Sequence, residues 1–287
     1  MHSIHNMKSC PTCQSEIPDK ARFCSVCGTE VNPAAAGLYA PTYPIDFNDF
    51  RTLPTQLKEH FLADLRVYLH RELSPAYEGE CLKTIYETDF QDLIDETMLE
   101  LAEHTDRIYE GMRKDSLRLI DQLLAKQFYA LLDLLFVRYV PHLLPVMLPD
   151  AILQYNDLHR EDINLRQMML DYLDLERERE TYYTNIIAIP LKKLEKAMRS
   201  FLFYGEREVP IVFCDQTLFG SASEGFCFTD KGFYWKAHFH RPQKIIFNQP
   251  FTLERKDNHL LINGHYFNIN PALNYKIFKL LIRLEKL

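Results

Sequence analysis

Apolar positions recur at helical spacing through the middle of the chain. Leu57, Phe61, Leu65 and Tyr68 fall at i, i+4, i+8 and i+11, one stripe of an amphipathic helix that Ser74-Pro75 closes. A longer pattern runs from about Glu80 to Tyr139, with Leu93, Leu101, Ile108, Leu119, Leu123 and Leu131 among its apolar positions and Gly111 placed to divide it. Asn164 to Ile187 reads as a further helix. Pro190 suits the first turn of the next one, Leu191 to about Tyr204. The expectation is a domain of antiparallel packed helices over residues 55–205. No repeat of solenoid length is present.

The period changes after residue 205. Pro210-Ile211-Val212-Phe213, Gly225–Thr229, Gly232–Lys236 and Lys244–Phe247 are short runs rich in β-branched and aromatic residues, which read as strands. Phe251–Glu254, His259–Ile262 and His265–Ile269 follow. Asp230-Lys231-Gly232 and Asn263-Gly264 are hairpin turn signals. Leu273, Ile277, Leu280, Leu281 and Leu284 then return to helical spacing. Residues 206–287 thus predict a small curled sheet or partial barrel closed by one C-terminal helix. The fold class is multidomain α+β.

Residues 32–54 read as a linker. Asn32-Pro33-Ala34-Ala35-Ala36-Gly37 and Pro41, Pro44 and Pro54 supply breakers. Tyr39, Tyr43, Phe47 and Phe50 are too many rings for a solvated tether, so part of this segment is expected against the helical domain.

The most specific chemistry lies in residues 1–31. Cys10-Pro11-Thr12-Cys13 and Cys24-Ser25-Val26-Cys27 are two Cys-x-x-Cys pairs separated by ten residues. Such pairs bring four thiolates to one tetrahedral ion, a soft closed set that zinc prefers over iron. Pro11 stiffens the first knuckle, and Gly28 tolerates a positive φ after the second. Two disulfides or four buried thiols are the alternatives, but so short a segment cannot bury a core and needs a staple. The expected ligands are Cys10, Cys13, Cys24 and Cys27, holding one structural zinc. A closed four-sulfur site keeps no water and performs no reaction.

Residues 10–28 also resemble the short zinc ribbons at the N-termini of many bacterial proteins. Ile17-Pro18, Ala21-Arg22-Phe23 and Gly28 match that pattern. Gln14 departs from it, since Gly usually follows the first pair. The resemblance implies a recruiting or structural appendage. Further on, Thr217–Gly220 and Gly225–Trp235 are similar to a "TxxG … GFxxTxxGxYW" run of uncharacterised bacterial proteins. Their sheet-and-helix domain resembles a bacterial pleckstrin-homology-like domain, which implies a platform for protein or lipid. A lipid-binding version would need a basic pocket, for which Lys231, Lys236, Arg241 and Lys244 are the candidates.

Composition narrows the classes. The 287 residues are 47% hydrophobic and 25% charged, with 16 Tyr, 19 Phe and only 9 Gly, as a packed globular chain requires. Net charge is −7, which opposes nucleic-acid binding by the surface as a whole. The charge is uneven: residues 51–205 hold 19 Lys and Arg against 27 Asp and Glu, and residues 206–287 hold 11 against 8. Seven cysteines, with Cys81, Cys214 and Cys227 isolated, suit a reducing cytoplasm. Met1-His2-Ser3-Ile4-His5 lacks the apolar run of a signal peptide, and no spanning helix is expected.

Other clusters offer candidate sites. Asp89, Asp92, Asp95, Glu96, Glu100, Glu103 and Asp106 form the densest acidic face, with His104 beside Glu100. No Glu-x-x-His occurs, so a solvated face or a docking face for a basic partner is expected rather than a di-iron site. His238-x-His240 in a strand would share one side, and His265 could join them, but no further ligand is set by spacing. Cys214-Asp215 has no evident base. Leu175–Glu180 alternates in sign, as a wet helix face does. In Phe128–Leu148, Pro141, Pro145 and Pro149 break a core helix near Tyr139, leaving a kinked segment and the alternative of membrane-surface contact.

No Gly-rich phosphate loop, Gly-x-Ser-x-Gly or His-Glu-x-x-His is present. The expectation is a non-catalytic, cytoplasmic, zinc-binding adaptor whose ribbon and C-terminal domain contact protein partners. A nucleic-acid regulator is the rival, weakened because Lys8, Lys20 and Arg22 are offset by Glu16, Asp19 and Glu30. Peripheral lipid binding by the C-terminal domain is the third alternative.

Overall fold

Helix α1, Leu53–Glu72, starts with Pro54 in its first turn, where a missing N–H costs nothing. Its predicted stripe of Leu57, Phe61, Leu65 and Tyr68 is wholly buried. Ser74 stops the helix and accepts from the Ala76 N–H at 3.3 Å. Helix α2, Glu78–Glu87, buries Cys81 and Ile85. Helix α3 runs Phe90–Gly111, so Gly111 falls at a helix end. Helix α4, Ser116–Leu134, continues as one π-helical segment, Leu135–Tyr139, before Pro141 breaks it. The kink read at Tyr139 is therefore present.

This computed structural model describes residues 7–9, 16–18, 45–47, 49–111, 116–156, 158–205, 207–217 and 219–287. It comprises two compact units, Met1–Phe128 and Tyr129–Leu287. In the first, α1 packs on α3, and Lys58 Nζ reaches Asp95 Oδ1 at 2.6 Å. Phe47 stacks on Tyr109 at 5.8 Å, and the Asp46 N–H donates to Gln56. Of the aromatic residues in the expected linker, Phe47 thus rests on a helix. Tyr39 and Tyr43 lie outside the described residues.

The second unit holds two antiparallel sheets. Strands β3 (Thr181–Tyr183), β4 (Pro210–Asp215), β5 (Gly225–Thr229), β6 (Gly232–Lys236) and β7 (Gln243–Ile246) pair in chain order. Strands β8 (Leu253–Arg255), β9 (Leu260–Ile262) and β10 (His265–Phe267) form a separate meander. Register aligns Phe213, Cys227 and Tyr234 across β4, β5 and β6. These three share a core with Ala197, Phe201 and Leu202, from helix α6 (Leu191–Ser200) and the turn after it. Because neighbours on a strand alternate in side, Cys214, Phe226 and Trp235 point to the opposite face. There Phe226, Phe233 and Trp235 pack on Phe267 of β10, with ring centroids 5.3–6.3 Å apart. Trp235 Nε1 donates to the Tyr266 carbonyl at 3.0 Å.

The two sheets therefore face one another and do not close into a barrel among the described residues. This corrects the expected partial barrel. Asn248-Gln249-Pro250 separates β7 from β8, and a proline offers no N–H to continue a ladder. The Asn263-Gly264 turn is as read, with φ of 51° and 76°, the paired positive values of a tight hairpin.

The C-terminal helix α7, Pro271–Glu285, also departs from expectation. Every residue from Leu273 to Leu284 is buried, including Lys276, Lys279 and Arg283. It packs on helix α5 (Leu165–Leu173) and on β8. The segment after α5 is not the continuous helix expected to Ile187. Asp174 adopts a left-handed φ of 41°, a short 3-10 turn follows, and the chain then extends into β3. Glu178 pairs with Lys276 at 2.7 Å, and Glu180 accepts from Asn270 Nδ2 at 2.6 Å. The alternating charges of Leu175–Glu180 thus anchor a buried helix. They do not lace a wet one.

Candidate functional site

Strands β1 (Met7–Ser9) and β2 (Glu16–Pro18) pair antiparallel, with Met7 opposite Pro18, Lys8 opposite Ile17 and Ser9 opposite Glu16. That register brackets residues 10–15, the span that carries Cys10 and Cys13. The expected ligands Cys10, Cys13, Cys24 and Cys27 lie outside the described residues. Four thiols in two such pairs fit zinc by donor chemistry and spacing. The metal would supply the folding energy of the segment, with every position filled by sulfur.

Among the described residues, no group of three or more His, Cys, Asp or Glu could hold a metal. Asp89, Asp92, Asp95, Glu96, Glu100, Glu103 and His104 are all exposed, as a solvated face requires. His238 and His240 sit in the turn after β6, not in a strand, and Phe239 between them has a φ of 60°. The turn sends them to different partners. His238 Nδ1 meets the Glu224 carboxylate at 2.8 Å, whereas the His240 ring stacks on Tyr266 at 5.0 Å. His265, on β10, is exposed and pairs in register with Ile262.

Cys214 is fully buried on β4, and burial raises its thiol pKa, with the Glu180 and Asp215 charges adding to the effect. A thiol so held is a packing group. Its neighbour Asp215 organises a turn. Its Oδ1 accepts from the Thr217 N–H and hydroxyl and from the Ala222 N–H, and its Oδ2 receives Lys193 Nζ at 2.9 Å. Burial alone would raise this carboxyl, but the bonds from Thr217 and Lys193 outweigh it and hold the pKa below the ordinary value.

The residues of the Thr-x-x-Gly and Gly-Phe-x-x-Thr-x-x-Gly-x-Tyr-Trp run have architectural tasks. Gly220 closes the Asp215 turn at a φ of 65°. Gly225 has a φ of 143°, and a Cβ there would stand 2.0 Å from the Cys214 carbonyl oxygen. Thr229 Oγ1 accepts from the Gly232 N–H at 2.9 Å and so closes the β5–β6 hairpin. At Gly232, a Cβ would meet the Ile245 carbonyl at 2.5 Å. This run specifies two turns and a close strand approach.

The four cations considered for a basic pocket are divided. Lys231 Nζ donates to the Arg207 carbonyl, and Lys236 Nζ to Ser200 Oγ. Arg241 and Lys244 are exposed. The described residues of this unit line two grooves. One, of about 280 Å3, includes Gln216, Glu224, His238 and Tyr266 in its walls. The other, of about 560 Å3, includes Asp171, Asp174 and Tyr182. Neither set has a nucleophile beside a base. No helix among the described residues is long and apolar enough to cross a membrane.

Residues 9–31 match the family model of a zinc-ribbon domain. No curated protein and no solved structure matches the chain. The match spans both Cys-x-x-Cys pairs, and a zinc-ribbon domain implies zinc binding. Sequence spacing alone located this site. What it missed were the partners of α7, carboxylates at Lys276 and Lys279 and backbone carbonyls at Arg283, whose only signal was a cation at 276, 279 and 283, one flank of a helix.

Proposed function

We propose that this protein is a non-catalytic adaptor. Its zinc ribbon recruits a protein partner, and the second unit, with its sheets and central helix, provides a further interaction platform. The observation that carries the reading is the zinc-ribbon match over residues 9–31, a segment whose four thiols fill a metal and leave no position for a substrate. Supporting it, the polar side chains singled out in the sequence serve turns and ion pairs. Cys214 is packed, His238 pairs with Glu224 while His240 stacks on Tyr266, and the acidic face of α3 is solvated. The resemblance of residues 206–287 to a pleckstrin-homology-like domain favours binding as the role of the second unit. Isolated buried thiols fit a cytoplasmic setting.

Nucleic-acid recruitment is the rival, and the cations near the ribbon are balanced by acids, which leaves little phosphate attraction. The test is affinity capture from native lysate with the full chain and its Cys24→Ser/Cys27→Ser variant, with and without nuclease. Partners that survive nuclease and vanish with the variant are expected. Recovery that disappears on nuclease treatment would overturn the protein-recruiting reading in favour of the nucleic-acid one.

A further inference from the structure

Four large apolar side chains stand out for exposure in the second unit. Phe219 is 97% exposed, Phe239 92%, Ile187 88% and Leu191 70%. Leu191 begins helix α6, Ile187 lies in the short 3-10 turn before it, and Phe219 and Phe239 sit on loops. With about 100° of rotation per residue, Leu194, Ala197 and the following Phe201 face the core, as their burial confirms. Lys192, Lys196 and Arg199 then form one stripe pointing away from it, and all three are exposed. Among the described residues they make no ion pair.

One flank of that stripe is largely apolar, and the other meets two loops. On the first lie Leu191 and the half-exposed Met198, with Glu195 between them, and Ile187 precedes the helix in a short 3-10 turn. On the other side, Lys193 and Ser200 touch the neighbouring loops. A Cβ on Gly220, next to Phe219, would stand 3.1 Å from Lys193 Nζ. Ser200 Oγ donates to the Ser223 carbonyl at 2.6 Å, beside the Glu224 that holds His238. Phe239 packs its ring on His238 at 3.8 Å. The cationic stripe is thus flanked by Leu191 and Met198 on one side and by the loop bearing Phe219 on the other, and Phe239 stands beyond it on the loop that His238 ties to Glu224.

We infer that this face docks on an anionic phospholipid surface. Exposed rings at loop tips have no folded-state use, since they bury nothing, and a monomer rarely displays so many together. A bilayer interface accepts such side chains, while unpaired lysines and arginines beside them meet anionic headgroups. Neither signal alone gives stable attachment, and here both occur on one helix and its adjoining loops. The inference does not depend on the ribbon reading. It would give the adaptor a membrane-facing side.

The test is co-sedimentation of the full chain with vesicles of phosphatidylcholine alone and of phosphatidylcholine with phosphatidylserine. Binding is expected only with phosphatidylserine and should weaken as salt is raised. Lys192→Gln/Lys196→Gln should lower it about tenfold or more. Phe219→Ser/Phe239→Asn should lower it about tenfold, at positions where the lost rings contribute little to the fold. Asparagine suits the positive φ of residue 239. An unchanged urea midpoint confirms that each variant is folded. Equal binding to both vesicle types, or binding indifferent to both variants, overturns the inference. So does retention on polyglutamate without vesicle binding, which assigns the face to an acidic protein. Self-association that the Phe variants abolish, without vesicle binding, would assign it to a second copy.

Discussion

Lys279 Nζ lies 2.8 Å from Asp133 Oδ1, and the two side chains are 1% and 2% exposed. The Tyr129 ring covers the same ammonium, its centroid 4.4 Å away. An ion pair this deep stabilises mainly in the sense that neither partner can be removed alone. It fixes α7 against the end of α4 and explains why a lysine is tolerated in the middle of a buried helix.

Asp133→Ala should therefore cost about 3–5 kcal/mol, because the buried ammonium loses the carboxylate that faces it. Urea denaturation followed by fluorescence of the single Trp235 reads the second unit directly. Asp133→Leu/Lys279→Met should recover most of the loss. A double variant as unstable as the single one would show that the charges matter for more than their mutual compensation.

Gly225→Ala should destabilise by more than about 2 kcal/mol, because its φ of 143° disfavours any side chain and the new Cβ would meet the Cys214 carbonyl at 2.0 Å. The same denaturation curve measures it. Near-wild-type stability would show that β4 and β5 can separate at that point without cost.

Stability should fall at low pH partly through Asp215. Its folded carboxyl binds a proton more weakly than the unfolded one. Its contribution is complete above the unfolded value of about 4 and is lost as pH drops through the folded value. Lys193 is shifted upward, chiefly by the hydrogen bond to Asp215. Its share is complete below about 10.5 and is lost as pH rises through the folded value. Asp215→Asn should flatten the acid limb of a melting-temperature profile. An unchanged limb would assign acid sensitivity to other carboxylates.

Much of this architecture was legible in residue patterns, and the failures have physical causes. Helix α1, strands β4 to β6 and the Asn263-Gly264 turn follow from spacing and turn chemistry. Periodicity reported where Leu273, Ile277 and Leu284 face, but it could not report what covers Lys276, Lys279 and Arg283. The carboxylates on the two lysines, Glu178 and Asp133, are 98 and 146 residues away in the chain, and the Tyr155 carbonyl that accepts from Arg283 is 128 away. Glu178 itself read as part of a helix because helical spacing cannot register the left-handed Asp174 that ends α5. His238 and His240 failed as a pair for a related reason, since Phe239 breaks the alternation that would have aligned them. At the ribbon the reverse holds. Ligand spacing is local, so the two Cys-x-x-Cys pairs point to a zinc ribbon without any tertiary information, in agreement with the family match over residues 9–31.

Thiol reactivity separates the two kinds of cysteine. Burial pushes the Cys81 thiol up to about 12 and raises those of Cys214 and Cys227 as well, so all three should resist alkylation in the folded chain. Iodoacetamide followed by intact-mass measurement should add no label to the zinc-loaded protein, four after chelation and seven in denaturant. Labelling of Cys10, Cys13, Cys24 and Cys27 before chelation would contradict their role as ligands.

The most direct measurement couples zinc occupancy to partner capture. Full-length protein would be stripped in steps with a chelator, its zinc counted by elemental analysis, and its captured protein and far-ultraviolet dichroism recorded at each step. The adaptor reading requires one zinc per chain at the start and capture that falls in proportion to zinc. The helical signal should stay constant throughout. Full capture at zero zinc would contradict it and move the recruiting surface away from the ribbon.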